Sequence, residues 1–197
     1  MRVIAELFGQ PLAETAESAG LDVAAVYEAH AGFVWKSLQR LGVRNPDLDD
    51  VLQEVFVVVH QRIATFDGSS RMTTWLFGIA LRVAAGYRRR GFRRRETCVA
   101  EPPDDLTRAS SSPEEALVAA QNRSRLADLL DELDLEKRAV FVMFEIDELP
   151  CDEIAQTIGV PVGTIYSRLH AARKDFQKAL ARMHARDAND SRDRRLR

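Results

Sequence analysis

Residues 151–170, CDEIAQTIGVPVGTIYSRLH, have the spacing of a helix-turn-helix. Ala155 is small where two helices must cross closely, and Gly159 can adopt the left-handed conformation that ends the first helix. Pro161 fits the start of the second helix. The pattern therefore predicts two helices joined by a tight turn.

The second of these helices is predicted to be amphipathic. Its buried stripe consists of Ile165, Leu169, Ala172 and Phe176. The rest of its surface is polar and cationic, as expected of a helix that lies in a DNA major groove. The alternative is an ordinary helical hairpin with a solvated face. The residues predicted to contact DNA here are Thr164, Tyr166, Ser167, Arg168, His170, Ala171, Arg173 and Lys174.

Charge is distributed in blocks, although the net charge is only −2. Residues 71–95 contain eight arginines and no acidic residue, and residues 161–197 contain ten basic residues against four acidic ones. Since phosphate binding depends on local cation density, two basic blocks indicate two sites for a polyanion. The alternative is that the arginine runs are solvated helix ends.

The chain before residue 95 predicts three helices. The first runs from Asp22 to Leu41 and stops near Gly42. The second begins near Asp47, after Pro46, because apolar residues recur at helical spacing from Val51 to Ile63. The third begins near Thr73 or Thr74. Its predicted core face has Leu76, Ile79, Ala80 and Val83, and its predicted outer face has Arg71, Gly78, Arg82 and Arg89.

A segment rich in Pro, Ser and Asp, residues 96–113, predicts a linker. After it we expect one helix over 113–133, another over 136–145, and two shorter ones. The fold class is therefore all-α, with two small helical domains joined by a flexible linker. The expected parts are an N-terminal extension (1–21), a first domain (22–95), the linker (96–113), a helix-turn-helix domain (114–185) and a mobile basic tail (186–197).

Patterns for enzymatic or metal chemistry are missing from the sequence. The two cysteines form no CxxC pair, the four histidines form no HExxH motif, and no phosphate-binding glycine loop is present. The longest apolar stretch, 75–87, is interrupted by Arg82 and is too short for a membrane span. We therefore expect a cytoplasmic protein without catalytic residues, metal, cofactor or membrane insertion.

Four motifs together resemble those of the bacterial extracytoplasmic-function sigma factors, a family of RNA polymerase sigma factors. They are DDVLQEVF at 49–56, FDG at 66–68, TWL at 74–76 and GTIYSRL at 163–169, in the family's order and spacing. The similarity covers residues 23–95 and 115–182. It implies a promoter-specificity subunit that binds core RNA polymerase and promoter DNA, and an anti-sigma factor as a further family partner.

In that family the first domain binds the clamp helices of the polymerase core. Here Asp50, Glu54, Val57 and Gln61 share one outward stripe of the second helix, which suits docking to a basic partner helix. A merely solvated face is the alternative. The core-polymerase set is Asp49, Asp50, Gln53, Glu54, Val57 and Gln61.

The resemblance also implies that the first domain opens the −10 promoter element and that the second reads the −35 element. The −10 set is Phe66, Arg71, Met72, Thr73, Thr74, Trp75, Arg82, Arg88 and Arg89. Met72 stands where the family has the aromatic of its base pocket, and Arg82 replaces a usual asparagine. Trp75 could instead belong to the core.

Two other classes of function fit parts of the sequence. A stand-alone helix-turn-helix transcription regulator would bind an operator tightly without polymerase. A helical protein-binding adaptor would bind no promoter DNA. The presence of both modules in one chain favours the sigma factor over either.

Overall fold

The computed structural model describes residues 22–94 and 113–195, and every regular element in those ranges is helical. The all-α expectation is confirmed. The chain divides into two compact units, with the boundary between Pro103 and Asp104. That boundary, the expected N-terminal extension (1–21) and the expected linker up to residue 112 lie outside the described residues.

In the part of the first unit that the structure describes, residues 22–94, three helices pack against one another. Helix α1 is Val23–Arg40, α2 is Leu48–Arg62 and α3 is Met72–Arg94. Short 3-10 turns, Asn45–Asp47 and Ile63–Thr65, flank α2. All three helices contribute fully buried side chains to one apolar core, among them Val34, Leu38, Val55, Val59, Leu76 and Ala80.

In the first unit, the ends of α1 and the start of α2 follow the sequence signals to within a few residues. Asp22 caps α1 by accepting a hydrogen bond from the Ala24 amide at 3.0 Å. Gly42 follows α1 with a φ of 90°, which a residue with a side chain rarely adopts. Pro46 opens a 3-10 turn, and the α-helix begins two residues later.

Helix α3 is buried over a wider arc than the sequence analysis predicted. Gly78 was expected on the outer face, but it lies in the core, within a continuous buried run from Leu76 to Ala80. The reason is that α1 and α2 both pack against α3. A prediction from helical periodicity assumes that only one face of the helix is covered, so it underestimates the buried surface.

Residues 113–195, the described part of the second unit, form four α-helices. Helix α4 is Pro113–Asp131, α5 is Leu135–Phe141, α6 is Cys151–Ile158 and α7 is Val162–Arg195. A π turn, Val142–Ile146, continues α5, where the sequence predicted one regular helix to Glu145. Helix α7 packs against α4, α5 and α6, and the rings of Phe141 and Phe176 stack with centroids 4.7 Å apart.

The last helix is much longer than expected. The sequence predicted a short helix and a mobile tail from Arg186, whereas α7 has 34 residues and continues to Arg195. Ion pairs Arg182–Glu132 (2.9 Å) and Arg125–Asp187 (3.3 Å) connect its later turns to the chain around α4. These contacts depend on tertiary packing and leave no local signal in the sequence.

Within the two described ranges, none of the helices is long and apolar enough to cross a membrane. The same ranges contain no cluster of three or more His, Cys, Asp or Glu side chains that could hold a metal ion.

Candidate nucleic-acid interface

The helix-turn-helix has the predicted turn. Helix α6 ends at Gly159 in the left-handed conformation (φ 79°, ψ 39°), and the Gly159 amide donates to the Ala155 carbonyl at 2.9 Å. The Thr164 amide donates to the Pro161 carbonyl at 2.9 Å as α7 begins. The turn therefore fixes the direction in which the first turns of α7 leave α6.

The two faces of early α7 divide largely as predicted. Ile165, Leu169 and Ala172 are buried, and Phe176 is half-buried. On the outward face Tyr166 is 59% exposed, although it is a large aromatic residue. Ser167, His170 and Lys174 are also exposed, whereas Thr164 and Ala171 are half-buried. A continuous polar surface with one prominent ring is thus available to a partner.

Two arginines of this surface are held by acidic residues, which the sequence analysis did not anticipate. Arg168 pairs with Glu136 of α5, and its side chain is only 22% exposed. Arg173 donates from Nε to Glu145 Oε1 at 2.7 Å. The predicted phosphate-binding cations therefore differ in availability: Lys174 is exposed, and the two arginines are oriented by neighbours.

The predicted −10 residues lie around the start of α3, but not all at the surface. Arg71 is exposed, and Met72 and Thr73 are half-buried. Thr74 is 1% exposed, so its predicted contact with DNA does not fit this structure. The side chain points into the core that α3 forms with its neighbours, because α3 already begins at Met72.

Phe66 and Trp75 form an aromatic pair at this end of the first unit. Their ring centroids are 5.4 Å apart, with an interplanar angle of 57°. Both side chains are half-buried, so Trp75 is neither a fully buried core residue nor a free stacking surface. The pair packs the loop 66–71 against the first turn of α3.

Further along α3, arginines form a basic surface. Arg82 donates from Nη1 to the Gly78 carbonyl at 3.2 Å. Partial burial lowers the pKa of Arg82, and repulsion from the nearby Arg62 of α2 lowers it further. Arg88 is half-buried and Arg89 is exposed. Arg62 of α2 and Arg82 of α3 repel each other, and a bound polyanion would reduce that repulsion.

The six predicted core-polymerase residues are all exposed on α2: Asp49, Asp50, Gln53, Glu54, Val57 and Gln61. Val57 is one of the few exposed large hydrophobic residues in the described part of the chain. This set, the acidic surface of α2, therefore combines carboxylates with an apolar centre. Glu54 is also paired with Arg90 of α3.

A hydrogen-bonded group fixes the start of α2 relative to α3. The Tyr87 hydroxyl donates to Asp47 Oδ2 at 2.6 Å, and Arg44 Nη2 donates to the same oxygen at 2.9 Å. Burial raises the pKa of Tyr87, and its hydrogen bond to Asp47 raises it further. These hydrogen bonds tie the start of α2, the helix with the acidic surface, to α3.

Sequence reasoning missed the residues that act across helices. Arg62 lies near Arg82, and Arg90 pairs with Glu54. In the second unit, Glu136 contacts Arg168 of α7. Phe144 and Glu145 contact Arg173 of the same helix. The partners in these contacts are 20 to 36 residues apart in the sequence, and each contact joins two different helical elements. No short motif contains such information.

Two family models match the chain. The model of Sigma-70 region 2 matches residues 26–95, and that of Sigma-70 region 4 matches residues 123–176. The first match covers nearly all of α1 and the whole of α2 and α3. The second covers the last part of α4, all of α5 and the helix-turn-helix. Each match therefore falls within one of the two compact units.

Curated relatives match across both units. An ECF RNA polymerase sigma-E factor of Haemophilus influenzae is 30% identical over 150 residues, covering 73% of this chain and 79% of the relative. The ECF RNA polymerase sigma factor SigE of Mycolicibacterium smegmatis is 29% identical over 167 residues, covering 82% of this chain. The alignment spans 63% of the length of SigE.

A solved structure shares the fold. The sigma factor RpoE of Bartonella quintana, crystallised with the anti-sigma factor NepR, aligns with a TM-score of 0.60 at 18% identity. The alignment covers 80% of this chain and 96% of that one. On the matches to both sigma regions and to the Haemophilus relative, the chain belongs to the extracytoplasmic-function sigma factors of bacterial RNA polymerase.

Proposed function

We propose that this chain is the subunit that directs core RNA polymerase to a specific set of promoters and opens their −10 element. The observation that carries the proposal is the exposed polar and cationic face of the first turns of α7, displayed by a well-formed helix-turn-helix. The same chain also carries another module with its own basic surface. As an initiation factor, it would act in the cytoplasm with polymerase and without catalytic residues of its own.

The first unit supports two separate contacts. The acidic surface of α2 is suited to binding a basic helix of another protein, because opposite charges steer association and the exposed Val57 supplies an apolar contact. The arginines of α3 and the loop before it suit a DNA backbone and an unstacked base. Because α2 and α3 pack on one shared core, binding of polymerase to α2 would also set the position of the DNA-binding residues on α3.

The second unit supports sequence reading at the −35 element. The hydroxyl of Ser167, the His170 imidazole and the Tyr166 ring stand on the outward face of a helix of the right kind for a major groove. Exposed cations such as Lys174 would bind phosphates without reading sequence. We also infer regulation by an anti-sigma factor, as the Bartonella protein has one.

The test is run-off transcription with core polymerase and a selected promoter library. We expect promoter-specific transcripts with the chain present and none with core polymerase alone. A double reversal, Asp50→Lys with Glu54→Lys, should abolish capture of core polymerase, because it reverses the charge at the centre of the acidic surface of α2.

The matched control is Asp128→Lys, which reverses an exposed carboxylate on α4. This variant should capture core polymerase as the unmodified chain does. Unchanged capture by the double reversal would reject the docking surface. Tight operator binding in the absence of polymerase would favour a stand-alone regulator instead, and no promoter binding in any form would favour an adaptor.

A further inference from the structure

Arg173 of α7 is held from two sides. Its Nε donates to Glu145 Oε1 at 2.7 Å, and its guanidinium carbon lies 5.1 Å from the centroid of the Phe144 ring. The side chain nevertheless remains 49% exposed. The guanidinium is therefore oriented by its neighbours while much of it still faces solvent.

Both neighbours belong to the π turn that continues α5. In this turn the Asp147 amide donates to the Val142 carbonyl at 3.0 Å, a bond that spans five residues. Short π turns are rare in α-helices and occur frequently at functional sites. Here the turn directs two consecutive side chains, Phe144 and Glu145, to the same cation, Arg173 of α7.

The atoms used in these contacts matter for what Arg173 can still bind. A guanidinium has five N–H donors in a planar fork, and two of its nitrogens can bind a phosphate side by side. Among the described residues, the polar contact of Arg173 uses only Nε. The four donors of Nη1 and Nη2 thus remain for an anion.

We propose that Glu145 and Phe144 are positioning residues that orient Arg173 for a phosphate of the −35 element. This inference rests on the proposed function. Ordering a long side chain on binding costs free energy, and an arginine already fixed in its bound orientation avoids part of that cost. Arg168 is a weaker candidate for such a role, because its paired side chain is less than half as exposed.

An opposite effect must be separated from positioning. The carboxylate of Glu145 is negative and would repel a nearby phosphate, so Glu145 could simply weaken DNA binding. Glu145→Gln removes the charge but retains an oxygen that accepts the Nε–H bond. Glu145→Ala removes both. The two variants therefore distinguish positioning from competition.

The experiment measures the affinity of holoenzyme for a labelled promoter duplex over a range of salt concentrations. We expect Arg173→Ala to weaken binding and to reduce the slope of log affinity against log salt by about 0.9, the value for one phosphate contact on duplex DNA. Glu145→Ala should weaken binding by about three- to tenfold, and Glu145→Gln should bind nearly as the unmodified chain does.

A double variant supplies the decisive comparison. Glu145→Ala should have no further effect when Arg173 is already alanine, because its effect passes through that arginine. The matched control is Glu132→Ala, which breaks the pair with Arg182 at 2.9 Å farther along the same helix. It should leave DNA affinity unchanged. Thermal unfolding confirms that each variant is folded.

Several outcomes would overturn the proposal. These are equal or tighter binding by Glu145→Ala, an equal loss in the Arg173→Ala background, or an unchanged salt slope for Arg173→Ala. In each of these cases, promoter-specific transcription by the unmodified holoenzyme would show that the proposed function stands. Absence of that transcription would overturn both.

Discussion

Arg90 of α3 donates to both carboxylate oxygens of Glu54 on α2, at 3.0 and 2.8 Å. The pair joins the surface proposed for polymerase to the arginine run proposed for DNA. Both side chains are about half exposed, and such surface pairs contribute only about 0–1 kcal/mol to stability. A cation of a docking partner could therefore replace Arg90 at little cost.

Exchange of the two charges tests whether Glu54 serves docking or folding. In Glu54→Arg with Arg90→Glu, the ion pair is retained in reverse, so the free energy of unfolding should change by less than about 1 kcal/mol. Binding to core polymerase should fall, because the exchange replaces the Glu54 carboxylate on α2 with a cation. Arg90→Ala, the control, should bind core polymerase at least as well as the unmodified chain. Full binding by the exchanged variant in a pull-down would contradict the assignment.

Substitutions on early α7 should separate base reading from phosphate binding. Ser167→Ala and His170→Ala should alter the preferred upstream sequence, since a good contact to a base edge contributes about 1–3 kcal/mol of discrimination. Lys174→Ala should weaken binding to all sequences alike and reduce the salt slope by about 0.9. Selection from a randomised −35 library measures the first effect, and an unshifted consensus in both variants would exclude these residues as readers.

Promoter opening should depend on the loop and first turns of α3. Arg71→Ala, Met72→Ala and Arg82→Ala should reduce transcription from duplex promoters, because unstacking a base costs a few kcal/mol that contacts here would offset. A pre-melted promoter bubble should restore activity. Thr74→Ser, a control at a buried position, should leave opening intact. If all three alanine variants open duplex normally, the melting surface lies elsewhere.

Gly159→Ala should destabilise the second unit through backbone strain alone. Gly159 has a φ of 79°, and an added Cβ would have no neighbouring atom within 4 Å. A left-handed residue with a side chain costs about 1–2 kcal/mol. Thermal unfolding should show the loss in the second unit and none in the first. Gly163→Ala, at an open position without a left-handed φ, is the matched control.

The N-cap of α5 should make stability dependent on pH. Asp134 Oδ1 accepts the Lys137 amide at 2.9 Å, and Oδ2 pairs with Lys137 Nζ at 2.9 Å. Partial burial alone would raise the pKa of Asp134, but the bonds from Lys137 outweigh it and hold the pKa below 3.8. Because the folded-state pKa is lowered, this stabilisation is present above about pH 4 and is lost as the pH falls through the folded-state pKa.

Two variants of Asp134 separate the cap from the ion pair. Asp134→Asn keeps a good cap, whereas Asp134→Ala should cost about 1 kcal/mol at neutral pH. In thermal unfolding measured from neutral pH downward, the unmodified chain should be more stable than Asp134→Asn at neutral pH. This difference in stability should shrink below about pH 4 and disappear once the pH has fallen below the folded-state pKa of Asp134. An advantage that persists at the lowest pH would show that the ion pair is not its source.

Local elements and the class of protein could be predicted from the amino-acid sequence. Gly159 and Gly42 stand where helices end, Asp22 caps α1, and the apolar stripe of α7 follows helical spacing. These features depend on residues within a few positions of one another, so they are visible in a linear reading. The motifs at 49–56 and 163–169 likewise identified the family, which the comparisons confirmed.

Packing between helices sets which of the candidate residues are exposed to a partner. Helical spacing placed Gly78 on the outer face of α3 and left Thr74 among the DNA-binding candidates, but contact with both α1 and α2 buries them. A prediction from helical periodicity assumes that one neighbouring element covers the helix, and α3 has two such neighbours. In the same way, Arg90 meets Glu54 and Arg173 meets Glu145 only because separate helices pack together. Such pairings depend on distances between helices, which the order of residues along the chain does not specify.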